Sequence, residues 1–380
     1  MMLYVANVRM PTEKAHGYQI AQMCEAFALA DEEVKLVVPR RFSTMETNLW
    51  QYYGVQENFK MITLPCLDFI AFFPESKLAF LLQTFTFLLA LLVWLPFQKY
   101  SLLFSRDVFL VAPLTLWVPR RKLIYEVHSK ARSRRLKRIQ DWTLRRVGLV
   151  VSLTGTMAEQ LKQTGISSII VAHDGIRPEN FPLFSPEIRQ ELGIPSEAFV
   201  ACYAGRLHTM GMSKGLEVFI EAAAQVKNIV FLLVGGPDNH VEQLRQRWQQ
   251  MGMPPEDFFA VGTVPPIEVP KYLAAADVCL ITSPQNEFFS NETSPMKLFE
   301  YMMAGRAILA SDLPSTREVV QHGESAYLVP PSDVGALREA LKTLRESPDL
   351  RQQLGQKAAQ EVLNYTWLKR AESILKAAKV

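Results

Sequence analysis

Residues 198–223 read AFVACYAGRLHTMGMSKGLEVFIEAA. An apolar run of strand type closes on Gly205, a loop carries Arg206 and Lys214, and a helical segment follows. A nearly unbroken apolar strand is the signature of a strand covered on both faces, as in parallel sheets flanked by helices. The same pattern recurs downstream in IVFLLVGG (229–236), DVCLIT (277–282) and AILASD (307–312). Upstream it appears in MLYVANV (2–8), VKLVVP (34–39), SLLFSR (101–106), KLIYEV (122–127) and GLVVSL (148–153). Helical segments lie between, at 17–30, 78–97 and 130–146. This alternation predicts an α/β protein of two Rossmann-like, doubly wound domains in tandem. The Pro- and turn-rich stretch 171–187, VAHDGIRPENFPLFSPE, reads as the linker. The expected domains are 1–175 and 176–362. The amphipathic segment 363–380, anchored by Trp367, is expected to cross back to the first domain.

Composition narrows the classes. A chain of 380 residues, 49% hydrophobic, supports two ordinary cores. The 41 basic and 38 acidic residues nearly balance, so a chain-wide polyanion binder is not indicated. Cys24, Cys66, Cys202 and Cys279 stand far apart in apolar context, which reads as reduced thiols of a cytosolic protein and not as a disulfide or zinc framework. The N-terminus MMLYVANVRM has no basic and apolar leader pattern, so no signal peptide is expected. Residues 78–97, LAFLLQTFTFLLALLVWLPF, are long enough to cross a bilayer. A span there would separate residues 1–77 from the strands they must pair with. A buried or membrane-dipping helix is expected instead.

In open parallel sheets, ligands collect at the C-terminal ends of the strands. Arg206 and Lys214 are two cations at one such end, suited to a diphosphate leaving group. A solvated loop would carry the same pair. Gly235 and Gly236 end another strand and allow tight turning near a ligand. A third junction is NETSPMKLFEYMMAG, 291–305. Ser294 reads as an N-cap, Pro295 as the first helical residue and Gly305 as the terminator. The N–H groups from Thr293 through Met296 to Lys297 would then face an anion. Helical side chains tilt toward the N-terminus, so Glu300 reaches back toward Glu292. Glu300 suits a ribose diol and Glu292 a hexose diol. A helix-dipole role explains Glu292 alone, because Glu300 lies too far into the helix.

YAGRL…KG, LLVGG, the two glutamates Glu292 and Glu300 inside ETSPMKLFEYMMAG, and ILASDLPSTREVVQHGESAYLVPPSD together resemble the GT4 family of retaining glycosyltransferases, of GT-B fold. The resemblance covers essentially the whole second domain, in order. It implies two domains facing a central cleft, with Arg206 and Lys214 on the donor diphosphate, Glu300 on the ribose and Glu292 on the sugar. It also implies transfer from a nucleotide-activated sugar with retained anomeric configuration. Two departures stand out: the loop from Arg206 to Lys214 is longer than usual, and Ala326 replaces a common glycine.

In the first domain, Gly17 follows the first strand, where the family's loop approaches the donor phosphates and the acceptor. His16 precedes it. His128 ends the strand in IYEVHSKA, a place where the resemblance implies a histidine on the donor sugar, although a lone histidine there is more often structural. Arg106, in LLFSRD, is a weaker acceptor-side candidate. The sequence has no Asp-x-Asp pair to hold a divalent metal at the diphosphate. No metal and no cofactor are therefore expected, only a UDP-, GDP- or ADP-sugar as co-substrate. Retention without an evident enzymic nucleophile favours front-face attack by the acceptor hydroxyl.

Residues 120–146, RRKLIYEVHSKARSRRLKRIQDWTLRR, carry eleven Lys or Arg against Glu126 and Asp141. Such a run is either a solvated face or a docking surface for anionic lipid. With 78–97 in the same domain, it predicts a cytoplasmic enzyme peripheral to the membrane, acting on a glycan or lipid-linked acceptor. Nucleic acid is not expected, because no stacking aromatics are interleaved. The alternatives are a nucleotide-sugar epimerase and a non-catalytic nucleotide-sugar-binding protein of the same architecture.

Overall fold

The computed structural model describes residues 1–43, 45, 47–181 and 187–379. Residues 182–186 of the expected linker lie outside this set. The chain divides into two compact units: Met1–His173 with Trp367–Val380, and Asp174–Thr366.

The first unit holds seven strands: β1 (Met2–Val5), β2 (Val34–Pro39), β3 (Lys60–Leu64), β4 (Leu102–Ser105), β5 (Leu123–Val127), β6 (Leu149–Ser152) and β7 (Ile169–Val171). They pair in parallel in the order β3-β2-β1-β4-β5-β6-β7. The chain reverses direction at β1, which lies against both β2 (Met2 opposite Val34) and β4 (Met2 opposite Leu102). The helices here are α1 (Ala15–Leu29), α2 (Leu49–Tyr53), α3 (Lys77–Trp94), α4 (Val108–Leu114), α5 (Arg134–Leu144) and α6 (Gly155–Lys162). On one face of the sheet, Phe87 and Leu91 of α3, Leu110 and Leu114 of α4, Leu144 of α5 and Met157 of α6 share a core with Leu3, Leu103 and Val127.

The second unit has β8 (Phe199–Ala204), β9 (His208–Thr209), β10 (Met212–Ser213), β11 (Ile229–Val234), β12 (Phe258–Gly262), β13 (Val278–Ile281), β14 (Ala307–Ser311) and β15 (Tyr327–Val329). Six of these form a parallel sheet, β12-β11-β8-β13-β14-β15. Its helices are α7 (Ile188–Glu191), α8 (Leu216–Ala223), α9 (Asp238–Gln250), α10 (Val269–Ala274), α11 (Met296–Met303), α12 (Pro314–Arg317), α13 (Val334–Glu346) and α14 (Pro348–Glu361). Phe219, Trp248 and Leu341 fill one face of the sheet, and Leu273, Phe299 and Met302 the other. The final helix, α15 (Trp367–Ala378), packs on α1 in the first unit.

Two parallel-sheet α/β domains thus stand where the alternating pattern placed them. Strands β3, β7, β12 and β15 were not read from the sequence; all four are sheet-edge strands with partly exposed positions, unlike the fully buried central strands. The long loop between Arg206 and Lys214 is a hairpin: β9 and β10 pair antiparallel across Met210 and Gly211, both at positive φ (53° and 77°). Two consecutive positive-φ residues are the requirement of a tight hairpin turn whose twist matches its strands.

Candidate functional site

In the second unit the strand ends interlock through glycine. Gly205 has φ 118° and Gly235 φ 137°. A Cβ on Gly235 would stand 2.1 Å from the Gly205 carbonyl oxygen, so only glycine lets the β8 and β11 turns touch. Gly215 (φ 78°) likewise abuts the Thr282 carbonyl, and the Thr282 hydroxyl donates to the Lys214 carbonyl at 2.9 Å. These contacts pin the backbone that carries Lys214 to the end of β13.

The Lys214 ammonium lies 4.3 Å over the Phe289 ring, and burial pushes its pKa down to about 8. Lys297, in the first turn of α11, places its ammonium 3.5 Å over the Tyr203 ring. That ammonium is buried and has no hydrogen-bond acceptor among the described residues. Burial, then the neighbouring Lys214 charge, hold Lys297 well below the usual lysine range, while Glu300 opposes the shift. Glu300 is one turn further along α11; burial raises its carboxyl to about 7, with Lys297 pulling the other way. A buried cation without a partner is costly, so the arrangement is complementary to an anion that the chain itself does not supply. Arg206 is exposed beside this cluster, its carbonyl accepting from the Tyr203 hydroxyl at 2.7 Å.

The start of α11 differs from the sequence reading. Ser294 is not a helix cap. The helix begins at Met296, Pro295 precedes it in extended conformation, and the Ser294 hydroxyl accepts from the Asp174 N–H at 2.9 Å. Proline has no N–H, so the helix-end donors belong to Met296 and Lys297, and the 293–297 run of donors is broken. Glu292, buried, closes a π-turn over Phe288–Glu292 and does not lie in an open loop. The Thr293 hydroxyl donates back into that turn, to the Phe289 carbonyl at 3.1 Å. Gly305 (φ 64°) ends the helix as read.

In the first unit, His16, Arg106 and His128 come together, close enough for each charge to bear on the others. Arg106 donates to His128 Nδ1 at 2.9 Å and to the Gln19 side-chain oxygen. His128 Nε2 is bonded to the Glu126 carboxylate, which also accepts from Gln19 Nε2 at 3.0 Å. The other Glu126 oxygen accepts from Arg370 of α15 at 2.7 Å. Burial alone would raise the Glu126 carboxyl; Arg370, then His128 and Arg106, hold it well below the usual range. Burial and the Arg106 charge push His128 down to about 4, and burial pushes His16 down to about 3. The His128 ring is therefore neutral near pH 7 with both nitrogens engaged, which makes it a positioned ring and not a free proton carrier. Gly17 has a packing reason for lacking a side chain: a Cβ there would stand 2.3 Å from the Tyr53 hydroxyl oxygen.

Sequence reasoning passed over Glu126, Gln19 and Arg370. Two signals were available: a carboxylate inside the apolar strand LIYEV, and an arginine on the apolar stripe Trp367, Arg370, Ala371, Ile374 of the last helix.

Residues 184–361 match the family model for glycosyl transferases group 1. A D-inositol 3-phosphate glycosyltransferase of Corynebacterium efficiens is 28% identical over 188 residues, 47% of this chain and 42% of that protein. The lipopolysaccharide core biosynthesis glycosyltransferase LpsD of Rhizobium meliloti is 29% identical over 245 residues, 63% of this chain and 66% of that protein. The chain spans less than half the length of the first such curated relatives. Anabaena Alr3699/HepE, solved in complex with UDP and glucose, superposes with a TM-score of 0.77 at 18% identity, covering 100% of this chain and 99% of that one. The fold of the whole chain is GT-B, and its segment 184–361 is similar to the group 1 glycosyl transferases.

Proposed function

We propose that this protein is a retaining glycosyltransferase that moves a sugar from a UDP-, GDP- or ADP-sugar to an acceptor hydroxyl in envelope glycan, polysaccharide or glycolipid synthesis. One observation carries the reading. Lys214 and Lys297 present two ammoniums, the second buried and unpartnered, at glycine-lined strand ends, beside the first-turn amides of α11. That constellation fits a diphosphate. The relatives support this reading, since LpsD is a glycosyltransferase of lipopolysaccharide core biosynthesis and HepE was solved with UDP and glucose.

In this reading Lys214, Lys297, Arg206 and the Met296 and Lys297 amides neutralise the departing diphosphate, and no metal is needed for that charge. The bond from the anomeric carbon to the diphosphate oxygen breaks while a bond to the acceptor oxygen forms on the same face. The acceptor proton passes to the departing phosphate oxygen, so configuration is retained without an enzymic nucleophile. Glu300 accepts ribose hydroxyls and Glu292 sugar hydroxyls. Gly17, His16, Arg106 and His128 belong to the acceptor and sugar side, where the neutral His128 ring shapes the site. The acceptor is borne at an anionic membrane surface, with the enzyme peripheral on its cytoplasmic face.

The test is donor hydrolysis and donor binding by purified protein across UDP-, GDP- and ADP-sugars. Turnover of one nucleotide class, lost in Lys214→Ala, is expected. No turnover of, and no binding to, any of them defeats the reading.

A further inference from the structure

Helix α3 is built with its polarity reversed. Gln83 and Thr84, among its few polar side chains, point inward, where Gln83 Nε2 donates to Asn7 Oδ1 at 2.9 Å and Asn7 Nδ2 donates to Thr84 Oγ1 at 2.8 Å. Its outer face carries Leu81, Phe85, Leu89 and Val93, spaced four apart along one stripe and all exposed. Leu78, 75% exposed, extends that apolar surface at the N-terminal end, preceded in sequence by Phe72, 78% exposed, and Phe73, 62% exposed; Phe97 follows the helix, 81% exposed. The mean hydropathy of Lys77–Phe97 is 2.3, yet only a third of it is buried. A helix covering a water-exposed sheet has every reason to place these side chains the other way round. An exposed apolar face of this extent marks a contact surface.

The charges around it identify the contact. Exposed Lys77 and Lys99 bracket the apolar segment, the positions from which lysines reach a headgroup layer. On the same face of the sheet α3 packs on α4, through Phe80 and Phe109 with rings 6.1 Å apart, and α4 packs on α5. Helix α5 exposes Arg134, Arg135, Lys137 and Arg138, none paired with an acid among the described residues. Apolar surface edged by unpaired cations complements acyl chains under anionic headgroups.

We propose that the outer face of α3, with Phe72 and Phe73, lies in the plane of an anionic lipid bilayer as an interfacial helix, and that α5 supplies the headgroup contacts. This deepens the membrane-side reading above by naming the surface and its mode. The helix does not cross the membrane: its inner face is bonded to Asn7, and β1 is paired to β4 across the connection that α3 makes. Crossing would strip α3 from the sheet and part β1 to β3 from β4.

The experiment is vesicle flotation of the full chain on phosphatidylcholine with and without phosphatidylglycerol. Three proteins are compared: wild type, Leu81→Glu/Leu89→Glu and Arg134→Glu/Arg138→Glu. Donor hydrolysis in detergent-free buffer and circular dichroism are measured on each. Wild type floats with anionic vesicles. The leucine variant loses binding by more than about tenfold. The arginine variant loses about tenfold or more on anionic vesicles alone, since each cation near such a surface is worth about fivefold. Both variants keep wild-type hydrolysis and ellipticity. Unchanged flotation of the leucine variant overturns the proposal, as does a lipid-free dimer that this variant abolishes, which would make a second copy the occupant. Loss of donor hydrolysis in wild type would instead strike the proposed reaction and leave the docking surface standing.

Discussion

Arg370→Met removes the cation that reaches Glu126 from a helix 244 residues further along the chain. The two side chains are 3% and 0% exposed and bonded at 2.7 Å, so water screens neither. Breaking one partner of such a pair leaves a buried charge uncompensated and costs about 3–5 kcal/mol. The methionine keeps most of the apolar stem, so the loss is charge and hydrogen bonding more than packing. Arg106 reaches Glu126 only through His128 and Gln19 and cannot replace the direct contact. The sign of the pH dependence follows from the carboxyl. In the wild type Glu126 is held below its ordinary 4.5, so its contribution is present above that value and fades as pH falls through the folded pKa. In the variant Glu126 takes up a proton more readily, so the penalty is largest at pH 7 and shrinks toward pH 5. The assay is urea unfolding followed by tryptophan fluorescence. Of the six tryptophans only Trp248 lies in the second unit, so the signal reports mainly on the first. At a slope of about 3 kcal/mol per molar urea, the midpoint drops by about 1 M or more. Glu126→Gln/Arg370→Met recovers much of the loss, because removing both charges removes the uncompensated one. A single variant within about 1 kcal/mol of wild type at pH 7, or a penalty that grows in acid, refutes the reasoning.

Three further outcomes are expected. Lys297→Met removes an unpartnered buried ammonium and should stabilise the ligand-free protein by about 1–3 kcal/mol. The same change should weaken donor binding at least tenfold; a rise in Tm by calorimetry with loss of titration heat checks both. Glu300, raised to about 7 from 4.5, makes the folded chain bind more protons than the unfolded one between those values, so stability falls as pH rises through that window. Donor binding, which uses the carboxylate, should tighten as pH rises through about 7 and weaken above about 8 as Lys214 loses its charge. Glu300→Gln should flatten the lower limb of that profile, measured by calorimetric titration of the donor nucleotide. Gly235→Ala forces a Cβ against the Gly205 carbonyl at a strained φ and should cost about 3 kcal/mol or more, read as a lower thermal midpoint of the second unit.

The amino-acid sequence alone determined the architecture, because strands covered on both faces must be written as unbroken apolar runs and strand-end turns as glycine. AFVACYAG, IVFLLVGG and ETSPMKLFEYMMAG therefore placed Gly205, Gly235, Lys214 and Glu300 without coordinates. Only the tertiary structure decided how the charges are shared. Whether Lys297 finds an acceptor, whether Arg370 reaches Glu126, and whether Ser294 caps its own helix or holds Asp174 are contacts between residues distant in sequence, and local pattern carries no trace of them. The same holds for α3. Its composition shows an apolar helix, but which of its sides faces the sheet was decided by Asn7, whose polar partners Gln83 and Thr84 had to turn inward and so left the leucines and phenylalanines outside.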